Sequence, residues 1–307
     1  MIRETLRGGD VRLSGKACAF VSQRLRPGVL LTATRGRDTG EFGTAPLDLV
    51  EREYRLFGRP VQWYLDATQA KNAARTVVEQ WTDWLVKHQG RLAQMHVLTG
   101  SKEVHLMIEI ARHFSDASQR MILYKDPAEW TRNIRNSEPG ITEVPDPGAR
   151  WDEPAIQILT ELTPENGVAI SVSGCRWSFR MIANEVIFST FSGNDYGDLT
   201  DAALDEMQRM LASSERKVSW FLDLRNAQNI APKVSQTWTD WLTARQARFD
   251  RIIGVAPSPL FPLVLTIAKY RSGTEHIVRV HRELGRFRDD LVSATSSAVA
   301  DAIGIQN

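Results

Sequence analysis

"VEQWTDWLVKHQ" runs from Val78 to Gln89 and "SQTWTDWLTARQ" from Ser235 to Gln246. The shared string Trp-Thr-Asp-Trp-Leu begins at Trp81 and again at Trp238, 157 positions later. The same offset carries Trp63 to Trp220, Asp66 to Asp223, Asn72 to Asn229, Gly36 to Gly193, Gly40 to Gly197, Leu47 to Leu204 and Cys18 to Cys175, with no gap. Ala111 meets Ala268, and Leu30 with Ile187 and Trp130 with Phe287 are like-for-like. A constant offset over most of a domain's length marks an internal duplication. The chain has 307 residues, enough for two domains that each bury a core.

The boundaries follow from that offset. Residues 1–134 form the first copy and 167–307 the second, which continues past its homologous part into a C-terminal helical stretch. Between them, residues 135–166 hold five prolines and many acids and read as a linker. Within that linker "AIQILTEL" is apolar enough to dock on a domain as a short helix or strand.

The second copy shows the pattern of one domain. Cys175, Trp177, Phe179 and Met181 alternate with Arg176, Ser178 and Arg180, as in a half-buried strand. "VIFSTFS" supplies a second strand, "GNDYG" a glycine-bearing stop, and residues 199–213 a helix with Leu204, Met207, Met210 and Leu211 on one side. "VSWFLDL", with its counterpart "VQWYLDA", is a nearly continuous apolar run suited to a central strand covered on both faces. Asn72 and Asn229 are read as caps of the following helix, and Pro232 is tolerated near that start. The strand "RIIGVAP", the helix "FPLVLTIAKYR", the strand "HIVRVHR" and one last helix from "LGRFRDD" onward complete the copy. The predicted order is β-β-α-β-α-β-α-β-α, a layered α/β unit with a mixed sheet flanked by helices.

That order, with Asp66 and Asp223 closing the central strand and a helix directly after, resembles the STAS domain, and in particular its SpoIIAA-like, anti-sigma-factor antagonist branch. The resemblance covers each copy and rests on "WYLDA", "WFLDL" and the sequence of elements. It implies a four- or five-stranded sheet used as a regulatory, protein-binding module of bacterial type. One departure stands out. The family's phosphorylatable serine after the strand is missing: Thr68 is the nearest substitute in copy one, and Arg225 replaces it in copy two.

Stepping 100° per residue from Trp81 brings Ala74, Val77, Val78, Trp84, Leu85 and His88 onto one stripe. In copy two the stripe is Ala231, Val234, Trp238, Trp241 and Leu242. The tryptophans therefore read as the inner face of a helix packed on the sheet, the alternative being an aromatic ligand box. Asp83 and Asp240 fall about 160° from the stripe, toward solvent, as candidate contacts for a partner. Asp66 and Asp223 sit where open α/β sheets place ligands, with pairing to nearby amides or an arginine as the structural alternative.

Composition excludes several classes. Net charge is +1, and no basic stripe of the kind that binds nucleic acid is present. No long apolar run predicts a membrane span, and the first residues lack the features of a secretory signal, so a cytoplasmic location is expected. Cys18 and Cys175 are too few for a metal motif or a disulfide framework and read as buried thiols. The histidines 88, 96, 105, 113, 276 and 281 do not meet one another under the offset. No catalytic motif is found, and no cofactor or metal is expected. The expected function is a non-enzymatic regulator or adaptor that binds a protein partner or forms a homodimer. Alternatives are a carrier or sensor of a small apolar, lipid-like ligand, marked by an enlarged apolar cavity, and an enzyme with one degenerate copy, marked by polar groups converging in one copy only.

Overall fold

The structure is a computed structural model that describes residues 1–114, 119–163, 167–183, 185–256, 273–274 and 276–305. It contains two compact units. Unit 1 comprises Met1–Leu6 and Asp10–Ile156, and unit 2 comprises Arg7–Gly9 and Gln157–Asn307.

The sheet of unit 1 has seven strands, β1 (Ile2–Thr5), β2 (Val11–Ser14), β3 (Cys18–Arg26), β4 (Val29–Asp38), β5 (Val61–Ala73), β6 (Leu92–Thr99) and β7 (Met121–Tyr124), neighbouring one another in chain order. β1 to β4 pair antiparallel, and β4 to β7 pair parallel. Parallel neighbours need a crossover, and helices supply each one. These are α1 (Ala45–Phe57), α2 (Arg75–Lys87) and α3 (Lys102–Phe114), with α4 (Pro127–Ser137) after β7.

Unit 2 repeats the plan with β8 (Leu159–Thr163), β9 (Gly167–Val172), β10 (Cys175–Ala183), β11 (Val186–Asp195), β12 (Val218–Ile230), β13 (Phe249–Val255) and β14 (Val278–His281), again in chain order. Among the described residues its α-helices are α5 (Thr200–Ala212), α6 (Pro232–Arg245), α7 (Leu284–Ala294) and α8 (Ser297–Ala302). β3 to β7 and β10 to β14 start 157 residues apart, strand for strand. The α/β class, the mixed sheets with flanking helices and the two-part layout of the sequence reading are therefore seen in the structure. The helix expected over "FPLVLTIAKYR" lies outside the described residues.

Several expectations are corrected. Each sheet has seven strands, not four or five, because two edge strands precede the expected hairpin. β1 and β8 are largely exposed and lack a clean alternation, so their pairing is set by the neighbouring strand. The expected linker is more ordered than a spacer: Glu138, Pro147 and Trp151 are buried, while within "AIQILTEL", expected to dock as a short helix or strand, Ile156 pairs with Thr5 of β1 and residues 159–162 belong to β8. Asn72 and Asn229 cap nothing: β5 and β12 run on through them, and Ala74 and Ala231 hold the helix-start positions without a side-chain cap. Nor does a helix follow Asp66 or Asp223 directly, since both strands continue for seven residues after the acid. The last helix is two, separated at Thr295 and Ser296, where the Ser296 hydroxyl accepts from the Val299 amide at 3.3 Å.

The extension of β5 past its other neighbour pairs only with the end of β4, and a register shift there lets the strands bend. Gly36 makes this possible. Its φ is +81°, and a Cβ at this site would collide with the Ala17 carbonyl; Gly193 repeats the arrangement against Gly174.

One face of the unit 1 sheet packs Trp63, Leu65 and Met95 against Leu47 and Val50 of α1, Trp84 and Leu85 of α2, and Val104 of α3. The opposite face packs Leu31, Tyr64 and Leu98 against Trp130 and Ile134 of α4. Cys18 and Cys175 are buried, and burial with neighbouring carboxylates pushes the thiols up to about 11 and about 12. They are inert interior groups.

Candidate functional site

The paired tryptophans divide their work. Trp84 and Trp241 are core residues, whereas Trp81 and Trp238 are half-buried. Trp81 stacks on Trp63 with ring centroids 5.4 Å apart and forms one wall of a cavity of about 120 Å³ in unit 1. The floor is the sheet, through Leu65, Ala67 and Met95, and the roof is α2 and α3, through Val77, Leu85, Met107 and Ile108. Among the described residues, Thr34, Asp38, Asn72 and the indole of Trp81, whose Nε1 is buried without a partner, bring polar groups to it. The volume approaches the roughly 150 Å³ at which an apolar protein cavity accepts a single aromatic ring.

At three equivalent positions in unit 2 the side chains are larger. The offset pairs Thr34 with Phe191, Ala67 with Leu224 and Phe20 with Trp177. Phe191 and Leu224 are buried, and the Trp177 ring lies 4.8 Å from Phe191 and 5.3 Å from Trp238.

A polar network lies on the other face of the unit 1 sheet. His96 is fully buried, its ring 4.6 Å from that of Tyr64. Gln62 Nε2 is 2.7 Å from His96 Nε2, and His96 Nδ1 is 3.0 Å from the Tyr124 hydroxyl. Tyr64 donates to Glu138 at 3.0 Å, and Glu138 also receives Arg26 Nε at 2.9 Å. Burial drops His96 to about 4, so the ring is neutral. Gln94 Oε1 also lies 3.2 Å from His96 Nε2, so both ring nitrogens face polar side chains, and the orientation of the Gln62 amide sets which nitrogen carries the proton. Arg26, Gln62, Gln94 and Glu138 reach the rim of an open polar depression at this end of the sheet. In unit 2 Phe221, Ile253 and Thr295 take the places of Tyr64, His96 and Glu138. Sequence reasoning passed over His96 because its partners come from β5, β6, β7 and the end of α4. The signal available was the swap of polar for apolar residues at equivalent positions.

The four acids singled out from the sequence are not brought together. Asp66 is half-buried and accepts from the Thr68 amide at 2.8 Å and its hydroxyl at 2.6 Å. Asp223 is 7% exposed and accepts from the Arg225 amide at 3.0 Å and from its guanidinium at 2.9–3.1 Å. Asp240 is half-buried and accepts from Gln236 at 2.5 Å, and Asp83 is exposed. Three of the four are thus engaged by their own chain.

Among the described residues, no group of three or more His, Cys, Asp and Glu side chains is placed to hold a metal, and no helix is long and apolar enough to cross a membrane. Comparison with protein-family models, with curated proteins and with solved structures found no match. The resemblance to STAS domains rests on the strings "WYLDA" and "WFLDL" and on the element order expected from the sequence, which the seven-stranded sheets and the long β5 and β12 alter.

Proposed function

We propose that the chain is a non-enzymatic binding protein of the sensor or carrier type, whose first unit takes a small apolar ligand between the sheet and α2 and α3. The observation that carries this reading is the apolar cavity beside Trp81. Burying a ligand's apolar surface in a partly preformed pocket is favourable without new polar contacts. The STAS resemblance adds a regulatory role, in which ligand occupancy is passed to a protein partner; Asp83, the exposed acid of the four, remains the candidate contact. The test is calorimetric titration of the full chain with benzene and with indene. Saturable binding that Thr34→Phe abolishes supports the reading. Absence of binding, or equal binding by the Thr34→Phe protein, overturns it.

A second reading, an enzyme with one degenerate copy, is favoured by the His96 network, which occurs in unit 1 alone. Against it, both ring nitrogens of His96 are engaged by protein side chains, and the ring is neutral and enclosed. Its groups hold one another and do not present a free base to a substrate. Survival of ligand binding in His96→Gln supports the binding-protein reading.

A further inference from the structure

We infer that the unit 1 cavity is shaped for a small aromatic molecule carrying an N–H donor, which it holds against the Asp38 carboxylate. This rests on the ligand-binding reading above and adds the chemistry of the ligand.

Unit 2 shows what such a ligand replaces. Asp195, the counterpart of Asp38, is 1% exposed. One of its oxygens accepts the Gly197 amide at 2.8 Å, and the other lies 3.4 Å from the indole Nε1 of Trp177. That indole packs on Phe191 and Trp238. An aromatic N–H donor and a second ring therefore fill the space beside the acid.

Unit 1 keeps the acid and its turn. Asp38 Oδ1 accepts the Gly40 amide at 2.9 Å, as Asp195 does from Gly197, and Trp81 stands where Trp238 does. The two filling residues are changed together: Phe20 replaces Trp177 and removes the indole N–H, while Thr34 replaces Phe191 and removes a ring. The cavity reaches Thr34 and Asp38, and its walls are apolar apart from these two, Asn72 and the Trp81 indole. Desolvation raises the Asp38 pKa, as expected of a carboxyl that has lost water to an apolar wall. A buried carboxylate gains more from a donor than an exposed one does, because water no longer competes. Asp38 is half-buried and already accepts the Gly40 and Glu41 amides, so a hydrocarbon fits the walls without using its remaining acceptor capacity; an aromatic ring with an N–H uses both.

Indole and indene share one bicyclic frame and differ by N–H against CH₂, so they serve as probes in calorimetric titration of the full chain. Wild type is expected to bind indole about tenfold more tightly than indene. In Asp38→Asn the Gly40 amide retains the side-chain oxygen and turns the NH₂ group toward the ligand. Indene affinity should then stay within about twofold, and the preference for indole should vanish. Phe20→Trp, the residue unit 2 carries at this place, should remove the preference by supplying the chain's own donor, and it decides the matter if circular dichroism shows Asp38→Asn unfolded. Equal binding of the two probes by wild type, or a preference unchanged in the folded variants, overturns the inference and leaves the apolar site standing. Binding of neither probe overturns the site itself.

Discussion

Arg24 and Glu53 form a bidentate ion pair in unit 1, with Nη2 2.7 Å from Oε2 and Nε 3.0 Å from Oε1 of a carboxylate that is 2% exposed. The offset replaces them in unit 2 by Met181 and Met210. The duplication therefore contains both solutions to one packing problem. Removing one partner of a buried pair leaves an uncompensated charge, whereas replacing both by apolar groups is often neutral. Glu53→Met is expected to lower stability by ~3 kcal/mol, and the Arg24→Met, Glu53→Met double variant to recover most of the loss. Urea unfolding of the three proteins checks this; a double variant no more stable than the single one contradicts it.

The β10–β11 turn predicts a stabilising change. Glu185 has φ +65° and is the one non-glycine residue with positive φ among the described residues, while its counterpart Gly28 has φ +75°. An L side chain in that region costs ~1 kcal/mol, so Glu185→Gly should raise stability by about that amount. Its ion pair with Arg216 is 3.5 Å long, and the arginine is well exposed, so little is lost with it. Chemical denaturation reads the outcome, and a fall in stability refutes it.

His96 makes stability depend on pH. Its pKa lies near 4 in the folded chain against about 6.5 unfolded, so between these values the unfolded state binds more protons. Its share of stability is complete above pH 6.5 and falls by up to ~3 kcal/mol as the pH drops toward 4. His96→Ile, which copies Ile253, should flatten the stability curve in this window. A curve as steep as that of wild type sinks the assignment.

Trp63 and Trp81 should respond differently to truncation although they stack on each other. Trp63 is fully buried and donates Nε1 to Thr32 Oγ1 at 2.8 Å, as Trp220 does to Ser189 at 2.7 Å. Trp63→Ala is expected to cost ~4 kcal/mol, and Trp81→Ala less than half of that because its ring is already half-exposed. Trp81→Ala should also weaken indene binding, because it removes a cavity wall. Denaturant unfolding alongside calorimetry separates the two effects.

What could be read along the chain was whatever repeats within it or follows a local period. The 157-residue offset, the alternation of Cys175, Trp177 and Phe179, and the helical stripe at Trp81 all concern residues near one another or paired by a constant shift. They were enough to establish the duplication, most strands and several of the helices among the described residues. Edge strands such as Ile2–Thr5 carry little pattern of their own, and the long extension of β5 past Asp66 depends on its partner β4, so both needed the folded sheet. The cavity and the His96 network were decided by tertiary structure alone. Whether Thr34 lines an open space, or His96 finds Gln62 and Tyr124, depends on which side chains face each other across a strand or between sheet and helix. Each of those contacts joins residues distant along the chain.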